Sequence, residues 1–393
     1  MKYDYDVIIV GSRVAGASTA MLLARRGHRV LVVDRASMPS DTVSTHAVLR
    51  TGVLQLSRWG VLDRIIEAGT PPVRQITLGF GDDRIPFEVK SDYGIDTLYA
   101  PRRYILDSAL TDAAREAGAD VRHRTGVTDL VRDENGRVEG VSVRTDGGRE
   151  SITARFVIGA DGYNSRVAAL VGAPARAHHK PHNAVHYAYY DGVEAKGFWF
   201  QFTPGVNAGL VPTNDGQCLV FVGRPAQLRH RFIDDPDGEF QRLLRVGGDD
   251  LLGVVAAGRR ASGFRGTKGL EGFIRQAWGP GWALVGDAGY TKDPISAHGI
   301  SDSLRDAELC ARAVDAALCD REEAENAMSR YQTLRDMLSR RIFAESGMLA
   351  RFEWTAPEAS RRMRVISSEV RAECEAILEL PEWSPVDSTM AGV

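Results

Sequence analysis

The sequence predicts an α/β fold: a parallel sheet wrapped by helices, with an antiparallel sheet inserted into it and a helical C-terminal region. Three observations point there. Apolar runs at residues 7–10, 30–33, 156–158 and 282–285 each end in Gly or Asp, the pattern of strands covered on both faces. Around residues 76–100 and 179–265 the apolar positions alternate instead, as in antiparallel strands with one face packed. From about residue 322 to 380 they return to helical spacing. The division predicted is a first domain at residues 1–75, 101–178 and 266–320, a second at 76–100 and 179–265, and a C-terminal helical region at 321–393.

The first element organises the rest. Tyr5 to Gly16 reads Tyr-Asp-Val-Ile-Ile-Val-Gly-Ser-Arg-Val-Ala-Gly, a short strand and a glycine turn, and a helix is predicted over 17–26, stopped by Gly27. Gly11 permits the tight turn. Gly16 lets the helix pack close to the strand, so that its free N–H groups face a pyrophosphate. The second strand ends in Asp34, about twenty residues past the turn, where a dinucleotide-binding βαβ unit holds a ribose hydroxyl. Arg13 stands where the Gly-x-Gly-x-x-Gly pattern has its middle glycine. With a negative φ it fits, and its guanidinium then supplies charge to the pyrophosphate or stacks on the adenine.

Residues 40–46 leave the carboxyl end of the second strand, the edge at which open α/β sheets place ligands. Ser44, Thr45 and His46 read equally as turn and cap chemistry. A helical pattern runs from Leu54 to Ile66, closed by Pro71-Pro72, and a hairpin is predicted at 76–80 and 84–89. A helix follows from about Arg103 to Ala117. Strands at 120–124, 128–132, 138–144 and 150–154 are expected to form a small antiparallel sheet, with a separate buried strand running into Asp161. Alternation over 184–222 builds the second sheet. Tyr187, Tyr189, Trp199 and Gln201 have the composition of a substrate cavity, although strand alternation lets only one of the sets Trp199/Gln201 and Phe198/Phe200 face a ligand. A mostly helical, charged stretch at 229–245, a third buried strand into Gly286-Asp287 and a helix over 300–318 complete the pattern. The last helical region is expected to cover the first domain or make a homodimer contact, and the last dozen residues read as frayed.

Composition bounds the function. With 44% hydrophobic and 26% charged residues the chain is an ordinary globular protein, and a formal charge of −3 offers no basic field for nucleic acid. The four cysteines are scattered, with neither a Cys-x-x-Cys pair nor a metal-ligand spacing. A reduced cytoplasm is the simplest setting. No signal peptide and no membrane span are expected.

Three fragments in this order, Gly11 to Gly16 with Asp34, Gly159-Ala160-Asp161-Gly162, and Gly286-Asp287-Ala288, resemble the signatures of FAD-dependent aromatic hydroxylases and the closely similar geranylgeranyl reductases. The resemblance implies a Rossmann-like FAD-binding domain with an inserted substrate sheet. It also implies that Gly11, Gly16 and Asp34 hold the pyrophosphate and adenosine ribose of a non-covalent FAD, with Ala15, Arg35, Thr45 and Val127 among the other cofactor-binding residues. Arg103 would sit near the pyrophosphate, Asp161 in the second motif, and Gly286 and Asp287 at the ribityl or ribose side. Pro294, Gly299 and Ile300 would lie beside the isoalloxazine, in a loop with Ala297 where the family has its first glycine.

That resemblance further implies a visiting NAD(P)H donor, O2, and a flavin C4a-hydroperoxide that passes oxygen to a small aromatic or polyketide-like substrate. The absence of a second glycine-rich turn agrees with a transient nicotinamide. His46 and His298, on loops expected at the flavin, are the candidate proton carriers. Two alternatives stand beside this reading: a geranylgeranyl-reductase-like enzyme that saturates a carbon–carbon double bond, and a flavin-binding protein without turnover.

Overall fold

A computed structural model describes residues 3–383; the C-terminal stretch expected to fray lies largely outside them. The strand Tyr5–Val10 sits at the centre of an eight-stranded sheet, parallel to Val30–Val33 on one side and to Gly148–Gly159 on the other. Ile8, Ile9, Leu31 and Val33 are completely buried, each such side chain contributing roughly 1.5–3 kcal/mol. Trp282–Leu284 adds a further parallel strand beside Gly148–Gly159.

Two sequence expectations are corrected. Asp120–Arg122 is the parallel edge strand beside Val30–Val33, not part of the small antiparallel sheet. The stretches 150–154 and 155–160 form one strand, Gly148–Gly159. Its first half pairs antiparallel with Val138–Thr145 and its second half parallel with Tyr5–Val10. A strand shared between two sheet environments changes from exposed to fully buried along its length, and that change reads in sequence as a break.

The helix Val14–Arg25 packs between Arg103–Glu116 and Gly299–Leu318. The second sheet is mainly antiparallel and runs Arg259–Arg260, Asn183–Asp191, Gln217–Pro225, Val206–Pro212, Phe198–Thr203, Gln75–Phe80, Asp83–Glu88. One of its faces is covered by Pro236–Gly247 and Asp249–Ala256 through Phe240, Leu243, Leu244 and Leu251. The last helical region is two helices, Ala324–Ala350 and Ala356–Glu379. Between them Trp354 packs on Phe202 of the second sheet, and beyond them the Trp383 indole N–H donates to the Leu22 carbonyl of the helix Val14–Arg25. Among the described residues no helix is long and apolar enough to cross a membrane.

Candidate active site

The carboxyl ends of the parallel strands and one edge of the second sheet enclose a cleft of about 610 Å³. Gly11, Arg13 and Ala15 form its floor at the glycine turn. Gly11 has φ +108°, and a Cβ there would lie 2.4 Å from the Ala160 carbonyl oxygen. A Cβ at Gly16 would lie 1.8 Å from the Gly11 carbonyl oxygen. Both glycines therefore serve close backbone approach. Arg13 has φ −85° and reaches Asp107 at 3.4 Å and Ser40 at 3.2 Å. Val14–Arg25 has no side-chain cap and no acidic residue in its first turn, which leaves N–H donors unspent at the cleft.

Asp34 and Arg35 stand at the end of the second strand and line the cleft. The Asp34 carboxylate accepts from Ser12 N and Oγ, both at 2.8 Å, and from Ala36 N at 2.8 Å, so it also holds the turn together. Arg103 lines the cleft while gripping buried Asp107 at 2.9 and 3.1 Å. Asp161 reaches the cleft too, yet its carboxylate caps the helix Arg166–Val171, accepting from Ser165 Oγ, Arg166 N and Val167 N. Its visible task is helix capping.

Gly286 has φ +55° and comes so close to the first turn that a Cβ would meet the Ala15 Cβ at 2.8 Å. Asp287 is exposed on the cleft wall, and the surrounding protein, by displacing solvent, raises its carboxyl above the usual range against the opposing pull of Lys292 and Arg103. Pro294, Ala297, Gly299 and Ile300 form the adjoining wall. Ala297 adopts φ +52°, the left-handed conformation that explains glycine at this place in the resembling family. Thr45 lies on the opposite wall. Val127 does not reach this cleft; it lines a separate surface groove with Thr128 and Asp129.

The second sheet contributes Val185 and Tyr187, whose hydroxyl accepts from Ser44 N at 3.3 Å. Tyr189 is not on the cleft wall. Its hydroxyl meets His46 Nε2 at 2.6 Å, and the Arg102 guanidinium stacks 3.8 Å over its ring. Trp199 and Gln201 point to the opposite face, toward the covering helices, where Gln201 Nε2 donates to the Gly81 carbonyl at 2.8 Å. The period-2 alternation of the strand puts Phe198 and Phe200 on the other face, packed into the main core, and neither of them lines the cleft.

His46 lines the cleft in a left-handed conformation, φ +64°, with Nδ1 unpartnered. Burial, with Arg103 nearby, pulls its pKa down to about 3, so it rests as a neutral imidazole near pH 7. His298 is completely buried behind the loop, between Asp302 (3.2 Å) and Glu373 (3.3 Å), and burial holds its pKa well below the ordinary value. It faces a charge network, not the cleft.

That network was invisible in the sequence. Lys292, on the cleft wall, is paired with Asp302. Burial lowers its pKa to about 7. Next to it Asp293 is fully buried and raised by burial to about 7, accepting from Asn183 of the second sheet at 3.1 Å. Arg305 contacts Asp302 at 3.0 Å, Asp306 at 2.7 Å and Glu373 at 3.3 Å. The one signal available was the run of charges itself: Lys292-Asp293 between buried strand and loop, and Asp302, Arg305 and Asp306 near the start of the following helix.

The profile of the FAD binding domain family matches residues 4–346. The chain belongs to this family, whose members here are FAD-dependent oxidoreductases. A digeranylgeranylglycerophospholipid reductase 2 of Methanopyrus kandleri is 26% identical over 346 residues, which is 84% of this chain and 81% of the relative. PqsL of Pseudomonas aeruginosa, solved in complex with 2-aminobenzoylacetate, has the same fold at TM-score 0.79 and 23% identity, over 92% of this chain and 99% of that one. Aklavinone-11 hydroxylase, solved with FAD and aklavinone, follows at TM-score 0.72 and 20% identity, over 88% and 68% of the two chains.

The residues present fit FAD. Two helices, Val14–Arg25 and Gly299–Leu318, bring N-termini without side-chain caps to one cleft, where N–H groups receive anionic oxygens. The backbone at Gly11, Gly16 and Gly286 is packed too tightly for any side chain.

Proposed function

We propose that this flavoprotein is a monooxygenase that uses NAD(P)H and O2 to hydroxylate or oxidise a small aromatic or polyketide-like substrate. One observation carries the reading: a single cleft is walled on one side by the glycine turn, Asp287 and the Pro294–Ile300 loop, and on the other by Val185 and Tyr187 of the second sheet. Bound FAD would supply the electron transfer and oxygen activation. The chain's own residues bind, orient and shield. The uncapped helix ends and Arg103 hold the phosphates, and Asp34 and Asp287 accept from sugar hydroxyls. Tyr187, with Val185 beside it on the cleft wall, gives an aromatic and apolar surface that excludes water and suits a flat substrate. Neutral His46, fixed by Tyr189, offers Nδ1 as a hydrogen-bond partner to substrate or cofactor.

The reading is tested by following NAD(P)H oxidation and O2 uptake by the FAD-loaded protein against phenols and polyketide aromatics. Labelled oxygen from O2 is expected in the product. A second reading, a reductase of a carbon–carbon double bond, is favoured by the name of the Methanopyrus relative. Anaerobic saturation of a prenyl chain, with no oxygen incorporated under air, would establish it and overturn the first.

A further inference from the structure

Lys292 is a charged side chain only 3% exposed, and its exposure is into the cleft. Its neighbour Asp293 accepts from Asn183 of the second sheet. Lys292 thus stands where the cofactor domain meets the substrate sheet, the end of the cleft at which a reactive ring has to meet its substrate. Asp302, which also reaches the cleft wall, pairs with Lys292 through one oxygen and with Arg305 (3.0 Å) and His298 (3.2 Å) through the other.

The charges of this cluster can be counted. Asp302, Asp306 and Glu373 are the carboxyls, Lys292 and Arg305 the cations. Buried His298 is neutral, so only one ring nitrogen carries a hydrogen. Its two nitrogens face Asp302 and Glu373 at 3.2 and 3.3 Å, and one of the two carboxyls must hold a proton for both contacts to attract. Glu373 is completely buried, and loss of solvent raises its pKa. With one of those two carboxyls protonated, two carboxylates balance two cations, and Lys292 and Asp302 both stand on the cleft wall.

We propose that Lys292 is the electrostatic partner of the bound flavin ring, presenting its ammonium to the cofactor and favouring the reduced over the oxidised form. Asp302 is a positioning residue, with Arg305, His298 and Glu373 fixing it in turn. This rests on FAD occupying the cleft, and it holds for oxygenase and reductase alike, because both must reduce the flavin first.

The test is the two-electron midpoint potential of the FAD-loaded protein, measured anaerobically by dye equilibration without substrate at about pH 6, below the lowered pKa of Lys292, where the ammonium is present. Lys292→Met leaves the network one negative charge in excess and is expected to shift the equilibrium at least tenfold toward oxidised flavin, about 30 mV. Lys292→Arg should stay within threefold of the wild type. Asp302→Asn leaves one positive charge in excess and should shift the equilibrium the other way. Opposite shifts from two variants of one ion pair do not arise from general damage to the fold. A Lys292→Met protein that retains FAD with an unchanged potential, or both variants moving in one direction, overturns the proposal. If Lys292→Met loses its flavin, the direction of Asp302→Asn decides. A wild type without flavin absorbance after reconstitution would instead refute the FAD reading, and is seen before any potential is measured.

Discussion

Gly11 is the residue on which the cleft closes: with φ +108° and no room for a Cβ beside Ala160, it accepts no substitute. Gly11→Ala is expected to cost more than about 2 kcal/mol, from left-handed strain and overlap together, and to abolish FAD retention, as read by urea unfolding and flavin absorbance. Asp287→Ala removes one carboxylate from the cleft and should weaken FAD about tenfold, measured by fluorescence titration of the apoprotein. His46 makes a pH prediction. Its pKa is depressed in the fold, from 6.5 to about 3, so its contribution is complete above 6.5 and is lost as pH falls toward 3. The loss is at most about 5 kcal/mol. His46→Asn, which tolerates the left-handed backbone, should flatten the decline in unfolding free energy between pH 6.5 and 4. Asp293 has the opposite sign: with its pKa raised from 3.8 to about 7, it costs stability as pH rises through that window. Asp293→Asn should therefore stabilise the protein at pH 8 and do little at pH 4. None of these burials was legible from residue type. His46 and His298 suggested titrating groups because histidine titrates near 7 in water, and burial lowers the pKa of both.

At the scale of elements, local pattern worked where one environment spans the whole element. The strand Tyr5–Val10, the hairpin Gln75–Phe80 with Asp83–Glu88 and the helix Gly299–Leu318 were legible to within one to three residues, because continuous burial, a tight turn and a 3.6 period each mark sequence directly. Gly148–Gly159 was not, because its two halves belong to different surroundings. Alternation showed that Trp199 and Gln201 share a face and left undecided which face, a choice made by the helices Pro236–Gly247 and Asp249–Ala256 packing onto it. The helix Ala356–Glu379 opens with a capping box in which the Thr355 backbone N–H donates to Glu358 at 2.8 Å. Thr355→Ala should cost about 1 kcal/mol, seen as a lowered Tm with FAD affinity unchanged, since this end of the helix lies far in sequence from Glu373.

For the molecule as a whole, the cleft is assembled from residues as distant as Gly11, Asp161 and Asp287, so cofactor binding and folding are linked. FAD at a hundred times its Kd should stabilise the apoprotein by about 2.7 kcal/mol, measured as a rise in Tm that follows the logarithm of FAD concentration. An unchanged Tm at saturating FAD would contradict a site built across the fold. The sequence by itself determined the fold class, the order of the three motifs and the place of the inserted sheet, because these are recorded in periodicity and in glycines whose conformation admits no other residue. Only the tertiary structure decided which charges meet: Lys292, Asp302, Arg305, His298 and Glu373 come together from a loop and two helices, and neither spacing nor composition registers a contact between residues so far apart. It decided the protonation of those groups as well, since a pKa follows burial and neighbours, which exist only once the chain has folded.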